Sequence, residues 1–102
     1  MIQNGMRPVH PGEVLREEFL EPLGISAHAL SRALHVSAPR VNEIVRERRG
    51  ITADTAMRLA RFFNTTPHFW MNLQAEYDIR VAENMSAKVI AEEVEPYKAA
   101  CV

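Results

Sequence analysis

The chain has 102 residues, 47% of them hydrophobic and 25% charged, with a formal net charge of −1, a balance that suits one globular domain and excludes a disordered chain. Its apolar runs are too short to span a bilayer, and no charged-then-apolar leader stands at the N-terminus, so a cytoplasmic protein is expected. The single cysteine, Cys101, excludes an internal disulfide and a cysteine-based zinc site.

Residues 1–10 read as an extended segment, because Pro8 and Pro11 break any early helix. A first helix is expected from Pro11 to Leu20, with Leu15 and Phe19 one turn apart, and Pro22 and Gly24 ending it. Ser26 caps a second helix whose Leu30, Ala33 and Leu34 have core spacing. After the short connection His35-Val36, Ser37 caps a third helix, which Gly50 closes. Thr52 caps a fourth, with Ala56, Leu59, Ala60 and Phe63 on one face. Thr66 and Pro67 start a fifth, expected to run to Glu83, with Phe69, Leu73 and Tyr77 on one face and Trp70 beside them. A weaker sixth, from Ser86 to Glu95, precedes Pro96 and a frayed tail. No strand-like alternation stands out, so the fold is all-α. The expected division is an extended segment at 1–10, a helical domain at 11–83 and a C-terminal helix and tail at 84–102.

The near-neutral total hides an asymmetry. Residues 1–25 carry −2, residues 26–64 carry +4 and residues 65–102 carry −3, and every cation of the middle segment is arginine. Arginine suits bidentate contacts to phosphate and guanine. Two short helices joined by a few residues, the second polar and Arg-rich, have the form of a helix-turn-helix at residues 26–47. Leu30, Leu34, Val36, Val41 and Ile44 are spaced as its shared core, and Ser31 is small where the helices must approach. His35 occupies a turn position that requires a positive φ, at modest cost. Pro39 lies in the first turn of the third helix, where its missing N–H costs nothing.

On this reading the third helix enters a major groove, with Ala38, Pro39 and Arg40 nearest the base edges and Asn42 and Glu43 one turn on. Arg40 is the candidate for guanine, Asn42 for adenine or phosphate, and Ala38 for a thymine methyl. Ser37 offers a hydroxyl and a helix N-terminus to a phosphate, in addition to its cap. Arg46, Arg48 and Arg49, at the helix's far end, would position the protein on the duplex rather than specify sequence. The plainer readings are an αα-hairpin that binds nothing, a solvated C-terminal cap for Arg46–Arg49, and a surface pair of Arg40 with Glu43 or Glu47.

The runs HPGEVLREEFLEPLGIS (His10–Ser26), SAPRVNEIVRERRGITADTAMRLARFF (Ser37–Phe63) and FWMNLQAEYDI (Phe69–Ile79) resemble HigA-type antitoxins of the Xre-like helix-turn-helix group, over residues 6–80. The helix-turn-helix alone is widely shared. The HPGE start and the FWxNLQ segment, in that order, are more specific. The resemblance implies a five-helix, lambda-repressor-like domain, here with a short additional C-terminal helix, acting as a homodimer. It further implies binding to a HigB-type toxin, a ribosome-dependent mRNA endonuclease, and repression of the shared operon at a palindromic operator. By position it marks Ser37, Ala38, Pro39, Arg40 and Asn42 as DNA-contacting; His35 departs from the family's usual Gly. It transfers no toxin-contact residue.

A single short recognition helix makes few base contacts, so specific binding calls for a second half-site and a self-associating surface. Trp70, Tyr77, Val81, Val89, Ile90 and Val94 are the candidates for a dimer or partner surface, against the plainer reading of Trp70 and Tyr77 as core. Catalysis is not expected. His10, His28, His35 and His68 are scattered with no metal-ligand spacing, Cys101 has no positioned base, and no Gly-rich phosphate loop is present. No metal or cofactor is implied. Two non-catalytic alternatives stay open: a stand-alone Xre-type repressor without a toxin, and an interaction module that has lost DNA binding. RNA is disfavoured because the Arg-rich helix lacks aromatics for stacking on bases.

Overall fold

The computed structural model describes residues 7–98, so Cys101 lies outside the described residues. These form five helices and no strand: α1 (residues 11–23), α2 (Ala27–Leu34), α3 (Ala38–Val45), α4 (Ala53–Phe63) and α5 (Pro67–Glu93). Four of the expected starts carry the expected chemistry. The oxygens of Ser26, Ser37, Thr52 and Thr66 accept the N–H groups of Ala29, Arg40, Thr55 and Phe69. At α1 the cap is His10, whose Nδ1 accepts the Gly12 N–H at 2.8 Å. Each satisfies one orphan donor of a first turn.

The helix ends differ more from expectation. α1 runs through Pro22 to Leu23 and stops at Gly24, whose φ of 67° is left-handed. The turn before Pro22 is π-helical, with the Glu21 N–H bonded to the Arg16 carbonyl five residues back. That wider register accommodates a proline ring that a regular α turn would press against a carbonyl. α3 ends at Val45, and Gly50 does not close it. Glu47 does, at φ 63°, with the Glu47 and Arg48 N–H groups bonded to the carbonyls of Ile44 and Glu43. The helix-turn-helix thus ends two residues before the expected 47.

The fifth and sixth expected helices are one. α5 continues through Asn84, Met85 and Ser86 for 27 residues, so no break separates 83 from 84. Asn and Ser there are poor helix formers, yet neither removes a backbone bond as proline would. The helix ends at Glu93, two residues before Glu95, which Pro96 restricts. At about 1.5 Å per residue α5 is roughly 40 Å long, which makes the molecule 58 × 28 × 25 Å.

The core gathers Leu15 and Leu20 of α1, Leu30 and Leu34 of α2, Val41 and Ile44 of α3, Ile51, and Ala56, Leu59 and Ala60 of α4 around Trp70. Trp70 is 0% exposed and donates from Nε1 to Thr65 Oγ1 at 2.8 Å. It therefore offers no partner surface: its indole closes the bottom of the domain against Phe19, Phe63 and Phe69, at centroid distances of 5.0, 6.4 and 4.9 Å. Tyr77 is half-buried with its ring against His10 at 4.8 Å. Ala33, expected in the core, is exposed on the outer side of α2. Among the described residues no helix is long and apolar enough to cross a membrane.

Candidate nucleic-acid interface

α2 and α3 pack through the predicted apolar set: Leu30, Leu34, Val41 and Ile44 are buried and Val36 is partly so. Ser31 is buried at the point of approach and donates its hydroxyl to the His28 carbonyl at 2.6 Å. His35 turns the chain in the left-handed region, φ 58° and ψ 45°, where its N–H and that of Val36 bond to the Arg32 and Ser31 carbonyls. The predicted positive φ at His35 is present, and the turn is a helix-turn-helix.

Packing the narrow Val41–Ile44 stripe inward turns the rest of α3 outward. Ser37 and Pro39 are exposed, and Ala38, Arg40, Asn42 and Glu43 are half-buried. Ser37, Ala38 and Pro39 form the rim of the first turn, with Arg40 beside them. Asn42 donates from Nδ2 to the Ala38 carbonyl at 3.0 Å, so its amide is steadied along the helix with its oxygen left to accept. Arg40 pairs with neither Glu43 nor Glu47: its Nη2 lies 3.5 Å from Asp54 Oδ2 on α4. Glu43 is instead bound to Arg49 at 2.7 Å. Arg46 caps α3, and Arg48 and Arg49 lie in the loop beyond it, all three exposed.

Four residues outside the expected set hold this helix. Arg16 of α1 donates from Nη1 to the Val45 carbonyl and from Nη2 to Glu47 at 3.1 Å, closing the end of α3. Arg58 of α4 donates to the Leu34 carbonyl at 2.8 Å and to Asp54 at 2.8 Å, bracing the turn from the other side. Gln74 of α5 accepts the Ile51 N–H at 2.6 Å, tethering the loop after α3, and donates to Asp78 at 3.0 Å. Gly12 touches the backbone of α3 itself: a Cβ there would stand 1.8 Å from the Ile44 oxygen. Only the i,i+4 spacing of Asp54 and Arg58 left a trace of this in the sequence. The HPGE and FWMNLQ motifs now have physical roles, as a buried cap with a close approach, and as a core indole with a loop tether.

Residues 16–70 match the helix-turn-helix family. Virulence-associated protein I of Dichelobacter nodosus is 60% identical over 81 residues, which cover 79% of this chain and 75% of that protein. Antitoxin HigA-1 of Vibrio cholerae is 41% identical over 80 residues, covering 78% and 74%. Among solved structures, Pseudomonas aeruginosa antitoxin HigA with the higBA promoter shares 58% identity at a TM-score of 0.87, covering 90% of this chain and 100% of that one. Antitoxin GraA in complex with its operator shares 52% identity at 0.87, covering 97% and 100%. The two solved structures share this fold, and the chain belongs to the helix-turn-helix family, as a HigA-type antitoxin.

Proposed function

We propose that this protein binds and neutralises a HigB-type mRNA endonuclease toxin in the cytoplasm, and represses their shared operon as a homodimer on a palindromic operator. The observation that carries the DNA half is the setting of α3. Its Arg40 and Asn42 edge faces outward while its backbone is held by Gly12 and Arg16 and the loop after it by Gln74. A helix so fixed presents base-reading groups without having to be ordered on binding. Relatives at 58% and 52% identity are described with promoter and operator DNA. Ser37, Ala38, Pro39, Arg40, Asn42 and Glu43 would meet the groove, and Arg46, Arg48 and Arg49 the flanking phosphates.

The partner half has support in α5. Beyond the core this helix exposes Ile79, Met85, Val89 and Ile90, with Val94 just after its end, more apolar surface than a lone arm needs. Val81 and Tyr77 border it, half-buried. The test is a titration against the DNA upstream of its own gene, at two salt concentrations, with an unrelated duplex as control. Tight, sequence-selective binding is expected. Equal, salt-labile binding to both duplexes would end the repressor reading. Co-expression with the product of the adjacent gene tests the toxin, and the stand-alone alternative gains if no complex forms.

A further inference from the structure

Asp54 occupies the first turn of α4, outside the helix-turn-helix, yet its Oδ2 receives two guanidinium groups. Arg58 donates to it from Nε at 2.8 Å, and Arg40 Nη2 lies 3.5 Å away. Arg58 is itself anchored on the Leu34 carbonyl at 2.8 Å, at the end of α2. The carboxylate is therefore fixed by an arginine that the scaffold fixes, and it sits at a helix N-terminus, which favours its charge. Among the described residues Arg40 makes no other ion pair and no side-chain hydrogen bond. One Nη2 hydrogen of its planar fork is thus turned to Asp54, and the second Nη2 hydrogen, with the donor next to it on the opposite edge, is left for another acceptor.

We propose that Asp54 is a positioning residue for sequence readout: it holds the Arg40 guanidinium in the orientation from which its remaining donors meet guanine in a bidentate contact. This rests on the DNA-binding reading above. A carboxylate acting only as a competitor would lower affinity for every duplex and leave Arg40 to choose its base unaided. A buttress acts in the opposite sense. It removes the rotamer freedom that Arg40 would otherwise lose on meeting a base, while its negative charge discourages loose phosphate contact.

The test is a double-mutant cycle with the full-length protein, using D54N, R40A and the double variant. Each is titrated against the operator, the operator changed at one base pair per half-site, and a random duplex. D54N should lower the operator-to-random ratio about three- to tenfold, the scale of ordering one long side chain. Affinity for random DNA should stay constant or rise. In the R40A background, D54N should leave the ratio unchanged, and base preference should relax at the same base pair in both single variants. An unchanged or raised ratio in D54N would overturn the proposal by showing Asp54 to be neutral or a competitor. So would an equal loss in the R40A background, which would make the effect structural, through Arg58. Wild-type protein without operator preference would instead overturn the DNA-binding reading itself.

Discussion

Gly12 and Ile44 touch backbone to backbone, and a single methyl group on Gly12 would stand 1.8 Å from the Ile44 carbonyl oxygen. The first helix thereby sets the depth at which the recognition helix sits. The contact concerns steric room alone, since Gly12 is one residue into a helix that any amino acid could form.

Gly12→Ala should therefore destabilise the fold by about 3 kcal/mol or more, the upper range for overpacking a core. Urea unfolding of the two proteins measures it. A loss below 0.5 kcal/mol would mean that α1 and α3 can separate without cost.

Arg40→Ala should cost about 1–3 kcal/mol at the operator and relax preference at one base pair per half-site. Arg48→Ala and Arg49→Ala should weaken binding to every duplex alike and reduce the salt slope by about one. Titrations at several salt concentrations separate the two behaviours. Equal losses from Arg40→Ala on operator and random DNA would place Arg40 on a phosphate.

Gln74→Leu removes the acceptor of the Ile51 N–H, which is bonded at 2.6 Å next to a buried side chain. An unsatisfied buried donor costs about 1–3 kcal/mol. The loop carrying Arg48 and Arg49 should also lose amide-exchange protection at Ile51 before the rest of the domain does. Retained protection there would show that Gln74 is dispensable.

Burial holds His10 below its ordinary pKa of 6.5, with smaller opposing influences from Glu47 and Asp78. Its Nδ1 accepts the Gly12 N–H, so the cap needs the neutral ring. Above pH 6.5 both folded and unfolded chains carry it neutral, and its contribution is complete. As pH falls below 6.5 the unfolded chain takes up the proton first, and stability is lost down through the folded pKa. Glu13, held low by its bond with Arg7, adds a loss of the same sign only below 4.5. Urea midpoints at pH 7.5 and 5.5 should therefore fall more for the wild type than for His10→Asn, which caps without titrating. Parallel falls would assign the pH dependence to another group.

Much of the fold was legible because its signals are local. A Ser or Thr before an apolar stripe specifies a start within one turn, and four such starts lie at the caps read from the sequence. The Leu30, Leu34, Val41 and Ile44 spacing and the left-handed His35 are local in the same sense. The misread stretch of α5 is instructive too. Advancing roughly 100° per residue, Trp70, Leu73 and Tyr77 share one side of the helix, whereas Ile79, Val89 and Ile90 lie nearly opposite. The apolar stripe changes side while the backbone runs on, so one helix reads as two.

An all-helical chain with a helix-turn-helix at its basic centre was readable from the residues alone, because capping, periodicity and charge act over a few neighbouring residues. What holds that helix in place was set by packing between distant segments. Arg16 reaches Val45, Arg58 reaches Leu34 and Gln74 reaches Ile51, across separations of 29, 24 and 23 residues. Such contacts depend on how helices cross, and no residue carries a local mark of the partner that packing will bring to it. The same holds for Trp70, which packing closed into the core, and for Asp54, which it set beside Arg40.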